Sequence, residues 1–119
     1  MIKNYRDLKL WQKGVDLADN IYNSTGLFPK KDQFGIGNHL EKTAVSIPSN
    51  VAEGNSRQYT KEYIQFLYFS LGSCAELDTQ MIIAKRRNLI KELNYKMIDK
   101  ELFDIRYMTL GLIKSLRNK

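Results

Sequence analysis

One cysteine and one histidine in 119 residues leave little from which to build a metal centre. A lone Cys74 cannot close an intrachain disulfide, and with only His39 beside it no zinc-ligand spacing exists. The thiol lies among Gly72, Ser73 and Ala75 and reads as a small buried hydrophobe. The two prolines and seven glycines form no Pro-, Gly- or Ser-rich linker, so residues 1–119 are read as one domain. Nowhere do apolar residues continue for the roughly 18 positions a membrane span needs. The opening Met1-Ile2-Lys3-Asn4-Tyr5-Arg6-Asp7 has no apolar leader region and no small-residue cleavage site, so the expectation is a cytoplasmic protein with no membrane partner. Signatures of catalysis are missing as well. There is no Gly-x-Ser-x-Gly and no phosphate loop, and Gly35-Ile36-Gly37 lacks the third glycine and the preceding strand of a dinucleotide site. No enzymatic activity and no cofactor are expected.

What the chain has in quantity is helical periodicity. Leu8, Trp11, Val15, Ala18 and Tyr22 recur every three to four residues, with Leu10, Leu17 and Ile21 widening the stripe, and predict a helix over about 7–23. Ile36, Leu40, Ala44, Ile47 and Val51 predict a second over 33–54, with Asp32 as its cap and Gly54-Asn55-Ser56 as its stop. That pattern crosses Pro48 without losing phase, which predicts a kinked helix with Ser46, Ser49 or water serving the freed carbonyl. Thr60 should cap a third helix reaching to about Arg87. A fourth, over 94–116, carries Ile98, Leu102, Ile105, Thr109, Leu112 and Leu116. No segment alternates with period two between hairpin turns. Four helices with short connections give an all-α, antiparallel, up-down-up-down four-helix bundle.

Three groups of residues are candidates for function. Within the third helix Tyr63, Ile64, Phe66, Leu67, Tyr68, Phe69 and Leu71 wrap nearly all round, and a helix apolar on every side must be covered on every side. Tyr59, Tyr63 and Phe66 are therefore expected at a subunit interface; half-burial at the bundle edge is the alternative. Ser46, Asn50, Glu53 and Arg57 form a polar stripe on the second helix, and Ser73, Glu76 and Gln80 one on the third. If the stripes meet, Asn50, Glu53 and Glu76 cluster with Arg57 as counter-charge, either to fix register or to line a ligand pocket. The third group is basic. Nineteen Lys and Arg against thirteen Asp and Glu give +6. The bundle topology would gather Lys30, Lys31, Lys85, Arg86, Arg87, Lys91 and Lys96 at one end, opposed chiefly by Asp32, Glu92 and Asp99. Such an end could hold phosphates and release counterions, although cations in a last helical turn also simply complement the helix dipole. The other end, with Arg6, Lys9, Lys114, Arg117 and Lys119, is basic too.

The residues also resemble a known family. Tyr5-Arg6-Asp7-Leu8-Lys9-Leu10-Trp11-Gln12-Lys13, Phe28-Pro29, the run Ala44-Val45-Ser46-Ile47-Pro48-Ser49-Asn50-Val51-Ala52-Glu53-Gly54, Glu62-Tyr63 with Phe66-Leu67, and Gly72-Ser73 with Glu76-Leu77 are similar to the four-helix-bundle proteins encoded within intervening sequences of bacterial 23S ribosomal RNA genes. The resemblance covers almost the whole chain. It implies a kinked second helix, a homopentameric ring and kinship with the accessory variability protein of diversity-generating retroelements, which binds nucleic acid and a reverse transcriptase. Family members commonly carry paired arginines where this chain has Glu41-Lys42, which weakens any basic face on the second helix. The expected function is thus a non-enzymatic, self-associating RNA- or DNA-binding protein, RNA being favoured. The alternative is a protein-interaction scaffold, or an accessory subunit of a reverse-transcriptase-type complex, acting through the aromatic surface.

Overall fold

The computed structural model describes residues 4–119; Met1, Ile2 and Lys3 of the opening segment lie outside the described residues. The apolar stripes fold into four long helices, α1 (Lys9–Thr25), α2 (Asn38–Asn55), α3 (Thr60–Arg86) and α4 (Glu92–Arg117). There is no strand among the described residues. Each helix packs beside its neighbour in sequence and α4 returns to α1, so α2 and α4 stand diagonally across the bundle. The result is a rod of 47 × 21 × 21 Å. Its axis is filled by Leu17, Ile21, Leu40, Ile47, Val51, Leu67, Leu77, Ile98 and Ile105, all fully buried. Each such side chain contributes about 1.5–3 kcal/mol by leaving water.

The helix ends depart from expectation in ways the local chemistry explains. Asp32 does not cap α2. The chain turns helical already at Lys30–Asp32, with Pro29 in the cap position, and its carbonyl accepts from the Asp32 and Gln33 amides at 2.8 and 3.1 Å. A wide π-type turn, Gln33–Gly37, then leads into α2, and Gly35 at φ −94°, ψ −105° leaves helical geometry there. Thr60 is the first residue of α3 rather than its cap; Tyr59 holds that position with extended backbone and no side-chain cap bond. At the far end of α3, Asn88 adopts φ +61°. The Asn88 amide donates to the Lys85 carbonyl at 2.9 Å and the Leu89 amide to the Ala84 carbonyl at 3.0 Å. This paired bonding ends a helix sharply, and asparagine tolerates the left-handed conformation it needs. The chain re-enters α4 at Glu92, two residues earlier than the periodicity suggests.

Helical assignment is continuous through Pro48. The Ser46 hydroxyl does not serve the carbonyl of Ala44; Ser46 Oγ donates to Thr43 O at 2.6 Å. Pro48 is buried against α1, where a Cβ added to Gly14 would lie 3.0 Å from Pro48 Cβ. Only glycine lets the two helices come this close without displacing the ring.

Candidate nucleic-acid interface

The α1–α2 and α3–α4 connections meet at one end of the rod around a cleft of about 350 Å³ bounded by Leu27, Pro29, Asn88, Leu89, Lys91 and Asn94. Around it the structure brings together the basic residues expected there. Lys30, Lys31, Arg86, Arg87, Lys91 and Lys96 are all exposed, and among the described residues none of the six has an ion-pair partner. Lys85 is different. Its ammonium lies 3.0 Å from a Glu92 carboxylate oxygen and 4.3 Å from the centre of the Tyr95 ring, so its charge is already engaged. Arg87 borders a second, smaller cleft with Asp32, Ile36, Ile83 and Leu89. Two guanidiniums and four ammoniums thus face water on one small end, the arrangement that exchanges bound counterions for phosphate oxygens.

The polar stripes do meet, but not as a carboxylate cluster. Ser46 Oγ and Ser73 Oγ share a hydrogen bond of 2.7 Å, and Ser70 Oγ donates to the Ile47 carbonyl at 3.0 Å. These contacts set the antiparallel register and place Glu76 beside Thr43, in a shallow depression with His39 and Lys42. Glu53 lies ten residues beyond Thr43 on α2, on the order of 15 Å away along the axis. It pairs with Arg57 at 3.1 Å, while Asn50 Nδ2 donates to the Ser46 carbonyl of its own helix at 2.8 Å. Asn50, Glu53 and Glu76 therefore form no common site. Sequence spacing put them on facing stripes but carried no information on axial register.

The aromatic residues divide between the inside and the outside of the subunit. Tyr63 is half-buried and its hydroxyl accepts from Asn55 Nδ2 at 3.1 Å; burial raises its pKa above the usual phenol range, with that bond opposing. Tyr63 and Phe66 close over Gly54, where an added Cβ would meet Phe66 Cβ at 2.8 Å. Arg57 stacks over Phe66 at 4.6 Å, and Phe66 meets Phe69 edge to face. Tyr59 is exposed, as are Tyr68 and Phe69.

Sequence reasoning missed three contacts that hold the frame. Ser70 sits inside the aromatic run, and only its small size marked it. Asn20 Nδ2 donates to both Glu101 oxygens at 2.9 and 2.8 Å, joining α1 to α4. Burial raises the Glu101 pKa, Asn20 opposes that, and Asp16 adds to it. Thr25 Oγ1 donates to a Glu41 carboxylate oxygen at 2.6 Å and so ties α1 to α2. Among the described residues no group of His, Cys, Asp and Glu is placed to hold a metal ion, and no helix is long and apolar enough to cross a membrane.

No curated protein matches the sequence significantly. A solved structure from Bacteroides thetaiotaomicron, described as a protein with unknown function from the S23 ribosomal protein family, superposes with a TM-score of 0.82 at 21% identity, over 88% of this chain and 98% of that one. At that identity the likeness speaks for the fold, a bundle of four helices. The sequence profile of the 23S rRNA-intervening sequence protein matches residues 6–111. That span includes every motif quoted above except the first residue of the opening one, and the chain belongs to the 23S rRNA-intervening sequence protein family.

Proposed function

We propose that this protein is a non-enzymatic, self-associating RNA-binding protein that grips phosphates with the basic end of its bundle. The observation that carries the reading is the set of six exposed, unpaired cations, Lys30, Lys31, Arg86, Arg87, Lys91 and Lys96, on the end where two connections meet. Phosphate contacts of this kind position a nucleic acid without reading its sequence. The family description favours RNA over DNA. A homopentameric ring comes from the family resemblance, and a bend of α2 at Pro48, a cytoplasmic setting and the lack of a cofactor are carried over from the sequence into the same reading. In a ring whose subunits point the same way, the basic ends would share one rim.

The test is fluorescence anisotropy of a labelled, structured ribosomal RNA fragment titrated across a salt series. Affinity should fall with log salt by roughly 0.7–0.9 per phosphate neutralised. Changing Arg86, Arg87 and Lys91 to Ala should lower both the affinity and the slope. Absence of binding at low salt would sink the reading. It would favour the second one, a protein-interaction scaffold or an accessory subunit of a reverse-transcriptase-type complex, which rests on the exposed Tyr59, Tyr68 and Phe69. Recovery of a protein partner after nuclease treatment, lost in Tyr59→Ser and Phe69→Ser, would be its signature.

A further inference from the structure

The basic end is not a plain field of charge. Of the four most exposed large apolar side chains among the described residues, three stand there: Leu93 at 79%, Leu27 at 71% and Phe34 at 70%. They alternate in the chain with the free cations. Leu27 comes just before Lys30 and Lys31, Phe34 lies on the π-type turn just after them, and Leu93 falls between Lys91 and Lys96. A surface that had only to meet phosphates, or only to stay in solution, gains nothing from apolar groups held in water. Cations interleaved with apolar and aromatic groups suit a ligand that has both phosphates and flat apolar faces.

The clefts at this end add depth and hydrogen-bonding groups. The larger one, of about 350 Å³, falls within the roughly 300–1,000 Å³ of small-ligand sites. Leu27, Pro29 and Leu89 give it apolar walls, and Asn88, Asn94 and Lys91 stand among them. Each asparagine offers a carbonyl acceptor and an amino donor side by side, the pattern that pairs with the edge of a nucleobase. The Nδ2 groups of Asn20, Asn38, Asn50 and Asn55 donate within the subunit, whereas among the described residues those of Asn88 and Asn94 do not. Asn88 is also held in place, at φ +61°, by the paired backbone bonds that end α3. Glycine would serve that left-handed turn at least as well, so the turn itself does not call for an amide side chain. Leu89, packed against the core, borders a second cleft of about 240 Å³, where Arg87 supplies donors and Asp32 acceptors. Two recesses with polar groups thus stand on either side of one leucine.

A duplex cannot use these features. Its bases are stacked and paired, and the A-form surface presents phosphates, 2′-hydroxyls and a shallow groove, whereas an unpaired nucleotide can turn its base out into a recess. We infer that the basic end binds unpaired RNA, seating neighbouring bases in the two clefts astride Leu89 while Lys30, Lys31, Arg86 and Lys91 hold the phosphates. The inference rests on the RNA-binding reading and narrows it to single strands and loops. An anionic membrane also rewards cations beside apolar groups, but it is met by a continuous apolar face and not by recesses lined with amides.

Fluorescence anisotropy with two labelled probes tests this, one an unstructured single-stranded RNA and the other the same strand paired in a duplex. Phosphate gripping alone favours the duplex, whose charge is denser. Seated bases reverse that order, and the single strand should bind more tightly by roughly tenfold or more at the same salt. Asn88→Gly with Asn94→Ala should weaken single-strand binding on the order of tenfold and leave its salt slope unchanged, because hydrogen bonds are removed and no charge is. Leu27→Ser, at a side chain already in water, should also weaken it and repeats the test should the double variant not fold. A duplex bound as tightly as the single strand overturns the inference and leaves the RNA-binding reading standing. So does single-strand affinity that neither variant changes. No binding of either probe at low salt removes both the inference and that reading. Vesicles of phosphatidylserine and phosphatidylcholine complete the set, and their binding in place of the single strand overturns the inference in favour of an anionic membrane surface.

Discussion

The two ends of the rod carry similar numbers of basic residues and use them differently. At the end formed by the α2–α3 turn and the C-terminus of α4, two guanidiniums are spent on the subunit itself. Arg57 pairs with Glu53 and covers Phe66, and Arg117 donates to the Tyr68 hydroxyl at 2.7 Å with its charge over that ring. At the opposite end Arg86 and Arg87 are exposed with no acidic partner, and only Lys85 is engaged. Formal charge does not separate these ends; the availability of the charged groups does. An arginine stacked on an aromatic ring has given up part of the geometry with which it would fork around a phosphate.

Breaking that contrast should have its largest effect on RNA affinity. Arg86→Ala, Arg87→Ala and Lys91→Ala together should weaken binding on the order of a hundredfold at low salt and reduce the salt slope by about 2–3. Arg57→Ala with Arg117→Ala should change affinity by less than about threefold in the same titration. Equal losses from the two ends would abolish the distinction. Next in size is Gly54→Ala at the aromatic end. The new methyl meets Phe66 Cβ at 2.8 Å and the Tyr63 carbonyl at 3.1 Å, so urea unfolding should register a loss of about 1–3 kcal/mol while RNA binding by the folded protein is unchanged.

Cys74, in the middle of the rod, offers a reference that neither end should move. Burial pushes its thiol up to about 12, with Arg106 opposing. In the unfolded chain the thiol ionises near 8.5, so above that pH the unfolded state loses a proton that the folded state retains. Stability therefore falls as pH rises through this window, by up to about 1.4 kcal/mol per pH unit. Subtracting the urea midpoints of Cys74→Ala from those of wild type between pH 8 and 10 should isolate this slope. The native thiol should also resist disulfide reagents at pH 8. The smallest expected effect is that of Arg117→Ala alone, about 0.5–1 kcal/mol for an exposed cation over a ring, read by thermal unfolding.

Much of this was legible in the sequence because bundle helices announce themselves by period. The apolar stripes placed α1 and α3 within two residues. The π-type turn before α2 was not legible, since Gly35 and Gly37 read as scattered glycines until the chain is seen to widen there. The basic end was legible because it depends only on which connections share an end. The Asn50, Glu53 and Glu76 grouping failed because it depends on axial register, which Ser46, Ser70 and Ser73 set through contacts between separate helices. The exposed apolar residues of α4 could have been found. Phe103, Tyr107 and Leu110 stand four and three residues apart on a helix whose core row had already been counted, and all three are exposed.

The contact between Gly14 and Pro48 reaches further than packing. Pro48 lines an outer depression between α1 and α2 bounded by Trp11, Val15, Tyr22 and Val45, and how deeply it sits is set by the single hydrogen that glycine presents to it. Gly14→Ala would press on the ring from within by a few tenths of an ångström and make the outer depression shallower. A methyl group buried in the subunit would then act on a surface it never touches, so the shape of that face is governed partly by residues invisible from outside.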